Sequence, residues 1–166
     1  MSEGVVILTG AHHVRIPVSA LEASVEWFAD LLGYEREFPF KAEGSIIGWA
    51  LRHPEGGPSL VLIEDAARAL ACRGFPLFAF GVPDEAAIRR IAARLDARGI
   101  AHGGVQPALV EVKLPFVEGP DGILFGFYVK AQAIADDRPA DAPGAEREAG
   151  PPPGGAARGN PLPEKE

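Results

Sequence analysis

The feature that most constrains this chain is an internal repeat. HVRIPVSALEASVEWFADLLG, from His13, and LFAFGVPDEAAIRRIAARLDARG, from Leu77, share one pattern. Each reads as a short alternating strand, a polar cap, an amphipathic helix and a terminating glycine. Val18 and Val82 are 64 positions apart, Gly33 and Gly99 are 66 apart, and so are Pro54-Glu55-Gly56 and Pro120-Asp121-Gly122. An offset held this closely across both halves marks a duplication, and each copy must bury its apolar face against a neighbour.

The local chemistry agrees. Ser19 is placed to cap the first helix, with Glu22 completing a capping box. Leu21, Val25, Phe28 and Leu32 form one helical stripe, and Gly33 stops it. In the second copy Asp84 is the cap, Ile88, Ile91 and Leu95 are the stripe, and Gly99 is the stop. Three strands are expected after each helix: near 34–40, 45–52 and 59–64, then near 101–105, 108–118 and 123–129. HPEGGP and EGPDG supply the turns before the last strands. The fold class that follows is α+β: two βαβββ modules, about 10–66 and 74–131, whose curled mixed sheets form a cup.

After Lys130 the composition changes to Pro, Gly, Ala and charge, with Ile134 and Leu162 the only large apolar residues. Such a segment cannot offset its ordering entropy, so 132–166 is expected to be a disordered tail. It reads either as a solubilising linker or as a docking segment using Pro151-Pro152-Pro153.

Bulk properties narrow the function. The 166 residues fit one domain or two small modules sharing a core. A net charge of −7 argues against a nucleic-acid partner, which needs a basic face. The single cysteine, Cys72, excludes an internal disulfide and a multi-cysteine metal site. MSEGVVILTGAHH is not a basic segment followed by a long apolar one, and no apolar run reaches membrane-spanning length. The expectation is a cytoplasmic protein with a small-molecule partner and no membrane partner. A homodimer is expected too, because strand edges and a half-open cup favour burial.

The pattern resembles the vicinal oxygen chelate superfamily, which includes glyoxalase I, extradiol dioxygenases, fosfomycin-resistance enzymes and bleomycin-resistance proteins. The resemblance runs over roughly 10–131. It is carried by His13-Val14-Arg15-Ile16-Pro17-Val18, Leu21, Ser24, Trp27-Phe28, Leu32-Gly33 and Gly119-Pro120-Asp121-Gly122. The family usually has Phe-Tyr at Trp27-Phe28 and Asp-Pro-Asp-Gly at 119–122. The resemblance implies a cup with helices outside it. It also implies metal ligands on the concave face of the first and last strand of each module.

Strand alternation predicts which residues face that cup. His13, Arg15 and Pro17 should face it from the first strand, and Leu77, Ala79 and Gly81 from its copy. Leu124, Gly126 and Tyr128 should do so from the last strand. Of the four family ligand positions, the first holds His13. The others fall on Leu60 or Leu62, on Leu77 and on Gly126. A catalytic divalent ion takes about three protein ligands, and one imidazole is not enough. His12, Glu64 or Glu111 could rebuild a site, but none is at a family position. The cofactor is left open, with a divalent metal the candidate that the missing ligands count against.

What remains is an apolar cup floored by Leu60, Leu62, Leu77, Ala79 and Leu124, with Trp49 as an aromatic wall. Val110, Val112, Leu114 and Phe116 should pack, leaving Glu111 and Lys113 to face the cup with Arg15. The candidate ligand-binding residues are Arg15, Trp49, Leu62, Leu77, Glu111, Lys113 and Tyr128. Plainer readings stand beside these: Trp49 as core, Glu111 and Lys113 as a solvated face, Arg15 paired with Glu64 or Glu111. His53 and His102 are expected at the surface.

Three classes of function fit. The first is a protein with a degenerate metal site that binds or sequesters an apolar or aromatic ligand. The second is an enzyme of lyase, isomerase or dioxygenase type, with His13 as metal ligand or as general acid or base. The third is a regulatory module that acts through its tail.

Overall fold

The computed structural model describes residues 11–108 and 112–129. The first module comprises β1 (His13–Val18), α1 (Leu21–Leu32), β2 (Glu35–Ala42), β3 (Ser45–Arg52) and β4 (Ser59–Glu64). A short helix, α2 (Ala66–Ala71), leads to the second. That module comprises β5 (Pro76–Val82), α3 (Glu85–Asp96), β6 (Gln106–Pro107), β7 (Val112–Glu118) and β8 (Leu124–Val129), with a 3-10 turn at Pro120–Gly122. The strands form two four-stranded sheets, ordered β1-β4-β3-β2 and β5-β8-β7-β6. In each, the first strand pairs parallel to the last and the other pairings are antiparallel. The order is the same twice, as the repeat requires.

The helices follow their apolar periodicity. Leu21, Ser24, Val25, Phe28 and Leu31 are the buried residues of α1. Leu31 takes the place expected for Leu32, which is half-buried. Gly33 stops the helix in the left-handed region (φ 80°) and gives its N–H to the Ala29 carbonyl at 2.8 Å. In α3, Ile88 and Leu95 are buried and Ile91 is half-buried. Asp84 caps that helix, accepting from the Ala87 N–H at 2.7 Å. The helix ends at Asp96, and Gly99 lies in the turn beyond it.

The capping box expected at α1 does not form. Ala20 stands at the cap position, with no side-chain cap. Ser19, one residue earlier, gives its N–H to Asp121 Oδ2 at 2.8 Å and its hydroxyl to Asp121 Oδ1. Glu22 turns away, accepting from Trp49 Nε1 at 3.0 Å and from Arg36 at 2.7 Å. The Trp49 bond first, then the Arg36 bond, hold its carboxyl below the usual range. Both members of the expected box serve tertiary contacts instead.

The strands of module one lie where expected. The rest of the chain departs in three ways. The strand expected near 101–105 is absent, and among the described residues the strand between α3 and β7 is the two-residue β6. There, Gly103 gives its N–H to the Pro115 carbonyl at 2.8 Å, so its backbone is engaged outside a ladder. Second, β7 shifts register between Leu114 and Val117, with Phe116 at φ 55°. The bulge sends Val117 into the core and leaves Phe116 37% exposed, so Phe116 does not join the packed face predicted for it. Third, α2 was not expected; its six residues are too short to show a helical period.

One core serves both modules. Ile16, Val18, Leu60 and Leu62 pack with Phe28, Ile88, Leu95, Leu114 and Phe125. Phe125 is the hub. It stacks on Phe78 at 5.5 Å and meets Phe80, Phe127 and, from module one, Trp27 and Phe28. Among the described residues no helix is long and apolar enough to cross a membrane.

Candidate functional site

The sheet register fixes what faces the helices and what faces away. Residues opposite one another across a ladder point to the same side. Val14 lies opposite Leu60, and Ile16 opposite Leu62, and all but Val14 are fully buried. His13, Arg15 and Pro17 lie opposite Ser59, Val61 and Ile63, on the other face. The expected directions of His13, Arg15 and Pro17 therefore hold. Those of Leu60 and Leu62 do not: both belong to the core, and the cup-facing residues of β4 are Ser59, Val61 and Ile63. Trp49 lies opposite Leu62, so it shares the helix side and bonds Glu22 of α1 rather than walling the cup.

The same register aligns the modules. Arg15 pairs with Val61 in one sheet, as Ala79 pairs with Gly126 in the other. With β1 and β5 offset by 64, the counterpart of Gly126 is Val61, between the two leucines that counting suggests. Neither Val61 nor Gly126 offers a donor, and Leu77, the counterpart of His13, does not either. Gly126 is also closed in: a Cβ there would sit 3.2 Å from the Leu114 carbonyl oxygen and 3.3 Å from Tyr128 Cε2. A side chain at that position would press on the β7 backbone, which would have to give by a few tenths of an ångström.

Among the described residues no group of three or more His, Cys, Asp and Glu side chains is placed to hold a metal. His13 is exposed, and its nearest polar partner is the His12 ring, with Nδ1 atoms 3.0 Å apart. The described residues do not supply the ligand set that the family resemblance implies. Glu64 lies opposite Val18 at the end of its strand, on the helix side.

The cup face carries a cleft of about 600 Å³ beside α2. Pro17, Ile63 and Leu77 give it apolar walls; Arg15, Asp65, Arg68 and Cys72 bring the polar groups. Asp65 caps α2, accepting from the Arg68 N–H at 3.0 Å and pairing with its guanidinium. Those two Arg68 bonds, the backbone one first, lower the Asp65 carboxyl below its ordinary range. An apolar cavity with a few polar groups is the usual form of a small-molecule site.

Of the residues singled out in the sequence, the structure brings Arg15 and Leu77 into this cleft. Lys113 and Tyr128 lie opposite each other on their ladder, the ammonium 5.9 Å from the ring centroid. Trp49 and Leu62 lie on the other face. Glu111 and the tail 132–166 fall outside the described residues. The sequence reading missed Asp65 and Arg68, because α2 itself was missed; Asp65 before an Ala- and Leu-rich run was the available signal.

A second cavity, about 310 Å³, lies where the end of α1 meets β5 and α3, with Tyr34, His53 and Arg94 in its lining. The polar groups of Tyr34, His53 and Arg94 are already engaged. The buried Tyr34 hydroxyl donates to the Pro58 carbonyl at 2.8 Å, and burial pushes its pKa up to about 12. His53 Nε2 lies 2.9 Å from the Leu32 carbonyl, while Nδ1 accepts from the Glu55 N–H at 3.2 Å. Arg94 donates to the Leu31 carbonyl at 2.9 Å. His53 and His102 were expected at the surface; both are half-buried, and His102 bonds Asp96 at 3.0 Å.

The comparisons agree with this geometry. Residues 10–127 match the model of the Glyoxalase/Bleomycin resistance protein/Dioxygenase superfamily, and the chain belongs to that family. No curated protein matches the chain. A glyoxylase/bleomycin resistance protein/dioxygenase domain from Frankia sp. EAN1pec is similar at 20% identity and a TM-score of 0.63, over 74% of this chain and 98% of that one. TnmS3, an antibiotic binding protein from Streptomyces sp. CB03234, matches at 18% identity and a TM-score of 0.58, over 74% and 97%. The fosfomycin resistance protein FosX from Listeria monocytogenes matches at 14% identity and a TM-score of 0.59, over 75% and 95%. At these identities the likeness is one of fold.

Proposed function

We propose that this chain is a small-molecule-binding member of its family, with a degenerate metal site. It takes an apolar or aromatic ligand in the cleft beside α2. One observation carries the reading. On the cup face, the repeat puts Leu77 where module one has His13, and the ladders align Val61 with Gly126, so none of these three positions carries a metal-ligating side chain. Removing donors while keeping a cleft of about 600 Å³ leaves a site suited to holding a molecule rather than transforming it. The fold relative described as an antibiotic binding protein is compatible with such a use. A homodimer belongs to the same proposal, supported by Phe38, Ile46 and Ile47 standing 49%, 42% and 37% exposed.

Cys72 provides the test, being the chain's one cysteine and lying in the cleft wall. N-phenylnaphthylamine, a neutral aromatic probe that fluoresces when bound, should bind the protein saturably and slow alkylation of Cys72 by iodoacetamide. Saturable binding with unchanged alkylation, or no binding at all, would contradict the assignment of the cleft.

A further inference from the structure

We propose that the cleft selects organic anions, molecules with an apolar or aromatic body and one acidic group that Arg15 grips. This rests on the reading that the cleft holds a small molecule, and it names the class.

Three charged side chains line the cleft: Arg15, Asp65 and Arg68. Their sum is positive in a chain of net charge −7. Asp65 is committed to Arg68 through both its backbone N–H and its guanidinium. Among the described residues Arg15 has no such partner. Across its ladder stands Val61, and its neighbours on the same face of β1 are His13 and Pro17. Of the two carboxylates that the sequence offers it, Glu64 lies on the opposite face and Glu111 falls outside the described residues. Among the described residues no ion pair or hydrogen bond reaches the Arg15 guanidinium.

A guanidinium stays charged at every physiological pH. Its planar fork offers paired N–H donors to a carboxylate, sulfonate or phosphonate. Here that fork stands beside the apolar surface of Pro17, Ile63 and Leu77. An amphiphilic anion satisfies both parts of the cleft. A neutral aromatic satisfies only one, and a cation meets like charge. Selection by charge follows from this one unpaired arginine.

Two probes with nearly the same rings separate the ideas: anilinonaphthalene sulfonate, an anion, and N-phenylnaphthylamine, which lacks the sulfonate. Fluorescence titration of the full chain should show the anion binding about tenfold more tightly. Arg15→Gln should remove that advantage, bringing the two probes to similar affinity, and Arg15→Lys should restore part of it. Circular dichroism and Tm of each variant check the fold. Equal affinity for the two probes, or a preference that survives Arg15→Gln, overturns the charge selection while leaving small-molecule binding in place. Anion binding that does not protect Cys72 from iodoacetamide overturns it as well. Binding of neither probe overturns both readings.

Discussion

The two modules repeat one topology and differ in what holds their ends. Module two caps its own helix through Asp84. Module one has alanine at that position, and the entrance to its helix is held by Asp121 of module two. Module one keeps an eight-residue β2, whereas module two keeps only the two-residue β6. On the cup face, His13 stands against Leu77 and Val61 against Gly126. Strand order survives in both copies because it is fixed by apolar faces that both must bury. A cap is worth about 1 kcal/mol, so either copy can lose one without losing the fold.

The shared core is the place where this comparison breaks hardest. Phe125→Ala should cost about 3–5 kcal/mol. Because Phe125 touches rings of both modules, unfolding should remain a single transition. Trp27 and Trp49 fluorescence reports on module one and far-ultraviolet circular dichroism on both. Their denaturation midpoints should coincide, and separate midpoints would show two independently stable modules. Next in size is Gly126→Ala, expected to cost about 1–3 kcal/mol, because the new Cβ presses on the Leu114 carbonyl.

The caps sharpen the comparison further. Asp84→Ala and Asp121→Ala should each cost about 1 kcal/mol. Adding Ser19→Ala should be nearly silent in the Asp121 variant and additive in the Asp84 variant, read by urea denaturation. The last effect is alkaline. An unfolded tyrosine ionises near pH 10, whereas folded Tyr34 does so at about 12. In that window the native state holds more protons, so this contribution is full below pH 10 and is lost as pH rises through 12. Tyr34→Phe should remove that slope from the pH dependence of Tm.

The repeat made the strand order legible, and the apolar stripes made the buried faces of α1 and α3 legible. Gly33 and Asp84 announced a helix stop and a helix start through local chemistry. The cup was read less well for physical reasons. A side chain's face changes with a shift of one residue, so a drift of the repeat offset from 64 to 66 put Leu60 and Leu62 where only the ladder shows Val61. Trp49 had two readings, wall or core, and its place opposite Leu62 settles it as the second. Ser19 and Asp121 are 102 residues apart, and no local pattern reports such a bond.

Metal content tests the central claim most directly. The chain would be expressed with Mn, Fe, Ni, Co and Zn supplied and purified without chelator or affinity tag. Elemental analysis would then be run beside His13→Ala. The account predicts far less than one metal per chain in both proteins. Near-stoichiometric metal in the parent, lost in His13→Ala, would contradict it and make this a metalloenzyme with a rebuilt ligand set.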